Sequence, residues 1–128
     1  ALVTSSYTPA ATHDILADVM ASPSPEVVAV ASPDNGYTTG GETLTGGAVA
    51  FTDSPALGTF DADDVEWTAL DATFRYAILY ASGTLNGIVN PLIGWILLDN
   101  TPADITVAGV DYVVQWSASG IFTLGTAA

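Results

Sequence analysis

Apolar residues along this chain recur with two different periods, and only one short stretch carries the helical one. Ile15, Leu16, Val19 and Met20 fall at helical spacing, Thr12 can cap them, and Ser22-Pro23-Ser24-Pro25 stops the run, so one helix is predicted over His13 to Met20. Elsewhere the pattern is that of strands. Ala1 to Ser6 reads as a short strand ending at Tyr7-Thr8-Pro9, and Val27-Val28-Ala29-Val30 as another before the turn Ser32-Pro33-Asp34-Asn35-Gly36. Gly40-Gly41 and Gly46-Gly47 bracket a short segment, Glu42 to Thr45. Strand-sized pieces follow at Ala48 to Thr52, Asp64 to Thr68, Thr73 to Ala81, Leu92 to Leu98, Val110 to Trp116 and Ile121 to Leu124. Turn residues separate most of them at the spacing of an all-β protein, so the expected fold is a single all-β domain over residues 1–128, an antiparallel β-sandwich or jelly-roll-like arrangement with one short N-terminal helix.

Two hairpins are expected. Ser117-Ala118-Ser119-Gly120 should join Val110–Trp116 to Ile121–Leu124, with Tyr112, Val114 and Trp116 on the face that is buried. A second turn is placed at Leu70-Asp71-Ala72, between the strand of Trp67 and the strand of Tyr76. The expected core is Val65, Trp67, Phe74, Tyr76, Ile78, Ile93, Trp95, Ile96, Val114, Trp116 and Leu124. Ile93-Gly94-Trp95-Ile96-Leu97-Leu98 does not alternate, so both of its faces need cover. One face can enter the core; the other makes Ile93, Trp95 and Leu97 a candidate interface.

Charge changes this picture more than length does. Across 128 residues there are 14 acids and one basic residue of the Lys and Arg type, a formal charge of -13. That basic residue is Arg75, inside the apolar run Phe74 to Tyr80. With its hairpin turn at residues 70–72, Arg75 is expected to form a structural ion pair with Asp64 or Glu66. Nucleic acid and anionic membrane draw affinity from Lys and Arg, so neither is an expected partner. Charged residues are only 12% of the chain against an ordinary value of about 25%. A surface made largely of Thr, Ser, Ala and Gly suits a protein that lives against other protein. There is no Cys, hence no disulfide and no thiolate chemistry, and no apolar run long enough for a membrane helix or preceded by a basic stretch as in a signal peptide. The chain opens at Ala1 instead of Met, which leaves processing or trimming open.

Candidate chemistry is sparse. Asp61-Ala62-Asp63-Asp64-Val65-Glu66 is the densest acidic cluster, but it lacks the Gly of a calcium loop, and its Asp residues suit a turn and a strand start. His13 is the sole His, and Thr12-His13-Asp14 does not form a relay because helix neighbours do not face each other. No nucleophile elbow, phosphate loop or zinc helix motif occurs, so no catalytic residue, metal or cofactor is assigned. Trp67, Tyr76, Tyr80, Trp95, Tyr112 and Trp116 could form a sugar-stacking platform, although core packing explains strand aromatics more simply.

An ordered series of motifs runs through almost the whole chain: Thr12-His13-Asp14, Gly36-Tyr37-Thr38 with Gly40-Gly41 and Leu44, Phe60 to Trp67, Arg75-Tyr76-Ala77, Pro91-Leu92-Ile93-Gly94 and Trp116 to Ile121. The series resembles a family of small virion proteins from tailed bacteriophages, most specifically in Asp63-Asp64-Val65-Glu66-Trp67 and Arg75-Tyr76-Ala77. Members of that family carry more Lys and a longer N-terminal strand. The resemblance implies a non-enzymatic head decoration or cement protein on the outer surface of the capsid, bound to the phage major capsid protein. It also implies a homo-oligomer, a trimer ahead of a dimer. A tail, neck or fibre-associated component is the alternative within virions, and a carbohydrate-binding β-sandwich module the alternative outside them.

Overall fold

The computed structural model describes residues 1–21, 23–53 and 56–125. The chain is all-β, with ten strands and one helical turn among these residues. A three-stranded antiparallel sheet has the order β1 (Leu2–Val3), β5 (Tyr76–Tyr80), β8 (Leu92–Leu97). A second has the order β10 (Phe122–Gly125), β3 (Ala56–Asp61), β2 (Ala48–Asp53). Two further ladders pair β4 (Val65–Phe74) with β9 (Ile105–Val114), and β6 (Thr84–Leu85) with β7 (Ile88–Val89).

The central feature is one long, bent hairpin. β4 runs into β5 with only Arg75 between them, and the return strand is β8 followed by β9, which pair with β5 and β4 respectively. Backbone bonds from Ala81 to Pro91 and from Asn90 to Gly83 carry the pairing out to β6 and β7, where Asn86 (φ 51°) and Gly87 (φ 83°) turn the chain. Both residues need positive φ, the requirement of a two-residue hairpin turn, and Asn-Gly is the pair that meets it most easily. Opposite Arg75 the return strand loops out over residues 98–104.

The expected turn at Leu70-Asp71-Ala72 is therefore absent, since these residues lie inside β4. What disturbs the pattern there is a bulge: Trp67 pairs with Tyr112 and Leu70 with Val110, so Thr68 and Ala69 face Asp111 alone. Ala69 takes φ 50°, and its N–H donates to Asp111 Oδ1 at 2.9 Å. The extra residue reverses the alternation, so Val65, Trp67, Leu70 and Phe74 all point inward. Read with a strict period of two, the same residues look like two short strands and a turn. The loop Asp34-Asn35-Gly36 seats on this bulge, with Asp71 N–H donating to the Asn35 carbonyl at 2.9 Å. A Cβ on Gly36 would stand 2.4 Å from the Thr68 carbonyl oxygen, so only Gly fits.

The second expected hairpin is also corrected. Ser117–Gly120 does turn, with Gly120 N–H donating to the Ser117 carbonyl, but the chain then crosses to β3 and not back along β9. Ile121 N–H donates to Phe60 O, and Phe122 stacks on Phe60 with centroids 5.2 Å apart. Among the described residues β9 has β4 as its strand partner, and just past its end Trp116 N–H donates to Asp64 Oδ1. The expected helix shrinks to α1 (Leu16–Val19): Asp18 Oδ2 accepts from the N–H of Asp14 and Ile15 just ahead of it, and Leu16 N–H donates to Asn90 O. Thr12 is thus not the cap, and Ser22 of the expected stop lies outside the described residues. Ala1–Ser6 contributes only two strand residues, and 27–30 forms no strand: pairing there is a bridge between Val3 and Glu26 with Val27 N–H donating to Leu2 O.

Within the sheet of β1, β5 and β8, β1 is buried on both sides, so consecutive residues Leu2 and Val3 are both fully inside. Leu2 and Ala77 join the main core with Val27, Tyr37, Val65, Trp67, Leu70, Phe74 and Val114. Val3 and Ile78 face the other way, onto Tyr7 and Val19 of the helical turn. Of the expected core, Val65, Trp67, Phe74, Ile78 and Val114 are buried, while Tyr76, Ile96 and Trp116 are half-buried against it. Ile93 (47%), Trp95 (50%) and Leu124 (72%) are exposed instead. A helix of one turn spans only about 6 Å. It covers β1, β5 and the start of β8, where Leu92 N–H donates to Asp14 O, but leaves Ile93 and Trp95 exposed.

Candidate interaction surface

Arg75 sits at the corner where the long hairpin passes from one sheet to another. Its backbone bridges both neighbours, with N–H donating to Val3 O at 2.9 Å and its carbonyl accepting from Leu98 N–H at 3.1 Å. Its side chain pairs with Asp104, Nε to Oδ1 at 2.8 Å, and Ser5 Oγ donates to the other Asp104 oxygen at 3.2 Å. The expected partners Asp64 and Glu66 are at the far end of β4, nine or more positions away and so roughly 30 Å along an extended strand. Their placement beside Arg75 depended on the absent turn. The pair closes the mouth of the 98–104 loop, and both members are partly exposed.

The acid cluster is spent on stitching the chain together. Asp63 Oδ2 accepts from Thr45 Oγ1 at 2.9 Å, its N–H donates to Thr45 O, and its carbonyl accepts from Trp116 Nε1 at 3.0 Å. Asp64 Oδ1 accepts from Trp116 N–H at 2.8 Å, and Asp61 Oδ1 accepts from Ala62 N–H. No three His, Cys, Asp or Glu side chains among the described residues are placed to hold a metal. His13 contacts Tyr7, Nδ1 to hydroxyl at 3.3 Å, and is not aligned with Asp14 as a relay.

A further polar knot was not foreseen. Glu26 Oε1 accepts from Tyr37 Oη at 2.9 Å and from Gly40 N–H at 2.6 Å, while Tyr37 Oη accepts from Leu2 N–H and Tyr80 Oη donates to Gly40 O. Burial, aided by the Glu26 charge, raises the Tyr37 and Tyr80 hydroxyls above the ordinary tyrosine range. The knot fixes the 37–44 loop over β1 and β5; no sequence motif announces it, since its hydrogen-bonded pairs are 11 or more residues apart. These groups hold one another through part-buried hydrogen bonds.

Among the described residues Trp67 Nε1 is a buried polar side-chain atom with no partner, and one open surface is lined by apolar side chains. An open trench of about 340 Å³ is lined on one side by Leu79 and Ile93-Gly94-Trp95-Ile96, and on the other by Ile121, Phe122 and Leu124. A contiguous hollow of about 390 Å³ continues past Ile96 and Ile121 between the end of β8 and residues 112–117. β8 and β10 are each an outer strand of their sheets, so the trench runs between two sheet edges. All 14 acids and Arg75 are missing from its lining. The sequence explains why: no charged residue occurs from Tyr76 to Leu98, nor from Tyr112 to the end of the chain. Ile93 and Trp95 of the candidate interface are at its rim, with Trp95 set edge-on to Tyr76 at 5.8 Å; Leu97 is half-buried farther along. Phe122 and Leu124 complete the surface. Sequence reasoning missed their contribution because the C-terminal strand was assigned to the wrong neighbour.

Compared with known proteins, the chain matches no protein-family model, no curated protein and no solved structure.

Proposed function

We propose that this protein is a non-enzymatic virion structural protein of a tailed bacteriophage, a decoration or cement protein that binds the outside of the major capsid shell as a homo-oligomer. The observation that supports it best is the uncharged apolar trench in a chain of charge -13. A monomer has no use for exposed Ile93, Trp95 and Leu124 side by side, whereas a protein that adds contacts between shell subunits needs such surfaces. The polar groups point the same way, because the described carboxylate clusters are engaged in internal hydrogen bonds and none converges on a cleft as a catalytic pair. The acidic remainder of the surface would meet a neutral or basic patch on the shell and speed encounter.

A carbohydrate module would use Trp95, which is half-exposed. Sugar recognition also needs hydrogen-bonding side chains beside the stacking ring; the residues lining the trench with Trp95 are Leu, Ile, Gly and Phe, and Gln115 and Ser117 line only the neighbouring hollow. The test is co-sedimentation of purified protein with phage shells that lack it, across a salt series. Saturable binding at a fixed copy number is expected; absence of binding to intact shells overturns the decoration reading and turns attention to tail, neck or glycan targets, the last checked on a glycan array.

A further inference from the structure

We infer that Asn86, at the tip of the β6–β7 hairpin, is a site of spontaneous covalent modification, in which the backbone nitrogen of Gly87 attacks the Asn86 side-chain amide and a carboxylate results. The chain has four Asn residues, at 35, 86, 90 and 100, and two of them, Asn35 and Asn86, precede Gly. A following Gly favours the reaction because no side chain shields the attacking nitrogen. The fold treats these two Asn-Gly pairs in opposite ways.

Asn35 is pinned. Its Oδ1 accepts from Val30 N–H and its Nδ2 donates to Val28 O, each at 2.9 Å. The peptide unit that joins it to Gly36 is held at both ends: the Asn35 carbonyl accepts from Asp71 N–H at 2.9 Å, and Gly36 N–H donates to Asp34 Oδ1 at 3.0 Å. The attacking nitrogen is thus engaged, and the amide it would attack is held away by its own bonds. Asn90 is excluded by chemistry, since Pro91 has no N–H. After Asn100 the nitrogen belongs to the β-branched Thr101 and donates to Asp99 Oδ1 at 2.7 Å.

Asn86 has none of these restraints. Asn86 and Gly87 are both exposed, and no atom lies within 4 Å of where a Cβ on Gly87 would stand. Among the described residues no hydrogen bond engages the Asn86 side chain or Gly87 N–H. Ring closure requires the peptide unit between them to rotate. Asn86 at φ 51° and Gly87 at φ 83° have the signs of a type I′ turn, and flipping that unit gives type II′, which also joins two strands through two residues and keeps φ positive at position 86. In type II′ the ψ of Asn86 is about −120°, which sets the Gly87 nitrogen against the side-chain carbonyl carbon. The hairpin can therefore reach the reactive shape without unzipping, and the two residue pairs behind the turn resist little.

In the reaction the Gly87 nitrogen loses its proton and bonds to Asn86 Cγ, the Cγ–Nδ2 bond breaks, and ammonia leaves with that proton. Water then opens the five-membered ring at either carbonyl, leaving aspartate or isoaspartate at position 86, with no redox change. A negative charge thereby enters the stretch from Tyr76 to Leu98, which has none. Isoaspartate also adds a methylene to the turn backbone and alters the two-residue spacing behind the Leu85–Ile88 pair.

The test is incubation of the full chain in mildly alkaline buffer, with and without urea, followed by proteolysis, mass spectrometry of each Asn-containing peptide and enzymatic methylation to count isoaspartate. In the folded protein a gain of about 1 Da with an isoaspartate signal is expected at position 86 at least about tenfold faster than at Asn35 or Asn100, with no conversion at Asn90. In urea Asn35 should catch up with Asn86, because only the fold protects it. Equal rates at Asn35 and Asn86 in the folded protein, or conversion of Asn86 in urea alone, overturns the inference. So does an Asn35 that stays slow in urea, since its resistance would then not come from the fold.

Discussion

The two halves of the long hairpin, divided at Arg75, are built to opposite rules. On the inner side, β4 and β9 bring Glu66, Asp71 and Asp111 into the ladder, and acids in and beside it serve as staples: Asp111 holds the bulge at Ala69, and Asp64 holds Trp116. On the outer side, from Tyr76 through Leu98, there is no charge at all, and apolar residues are left in water on β6, β7 and β8. The inner half buries Val65, Trp67, Leu70 and Phe74 of β4, although Val110 and Val113 of β9 stay exposed. The outer half carries the exposed apolar residues on which the proposed contact with another protein rests.

This contrast breaks first, if it is wrong, at Phe74 and Trp95. Phe74 is fully buried with its ring edge-on to Tyr112 at 4.8 Å, so Phe74→Ala should cost about 3–5 kcal/mol in urea unfolding. Trp95→Ala, equally large on paper, should change monomer stability by no more than about 1 kcal/mol while reducing self-association. Equal losses at the two positions would mean that the outer half is as self-sufficient as the inner.

Next comes the seat of the 34–36 loop. Gly36→Ala places a methyl group against two carbonyl oxygens at a φ of 69°, so a loss of roughly 2 kcal/mol or more is expected, with faster amide exchange at Asp71. Normal exchange there would show that the bulge and the loop are independent. Arg75→Met tests the divide itself. With both partners partly exposed, the loss should be about 1 kcal/mol or less and should shrink as salt rises. A loss of several kcal/mol, insensitive to salt, would require a buried pair.

The smallest effect concerns pH. Hydrogen bonds from the Thr101 hydroxyl and N–H lower the Asp99 carboxyl below its ordinary value of 3.8. A depressed carboxyl adds stability that is present above that value and is lost as pH falls through the lower, folded one. Asp99→Asn should therefore flatten the acid limb of the stability profile slightly, and an unchanged limb would show that the 98–104 loop contributes nothing there.

The sequence carried the class of the fold in its alternation, turns and single short helical pattern. Positions such as Tyr112, Val114 and Trp116 could be assigned to the inner face because their strand is regular at that end. The hairpin pairings could not be read. A bulge at Thr68 and Ala69 disguises one continuous strand as two, and Asp71 in the middle imitates a turn residue. At the other end, a good turn sequence at Ser117 to Gly120 says that the chain reverses but not which strand it meets. The ion pair of Arg75 inherited the first of these errors. Ile93, Trp95 and Leu97 were singled out because their run does not alternate; Ile93 and Trp95 are exposed, whereas Leu97 is half-buried. The opposite wall, Phe122 and Leu124, depended on a pairing across more than 60 residues that no local pattern encodes.

The uninterrupted passage from β4 through Arg75 into β5 has a mechanical consequence. A pull on the Asn86-Gly87 tip along the hairpin axis tensions the outgoing and returning strands together, so little shear develops across the ladder that joins them. Tension travels down covalent backbone to the corner, where Val3 and Leu98 grip Arg75 from either side and spread it into the sheet. The β6–β7 hairpin is thus tied by continuous backbone to the corner at Arg75.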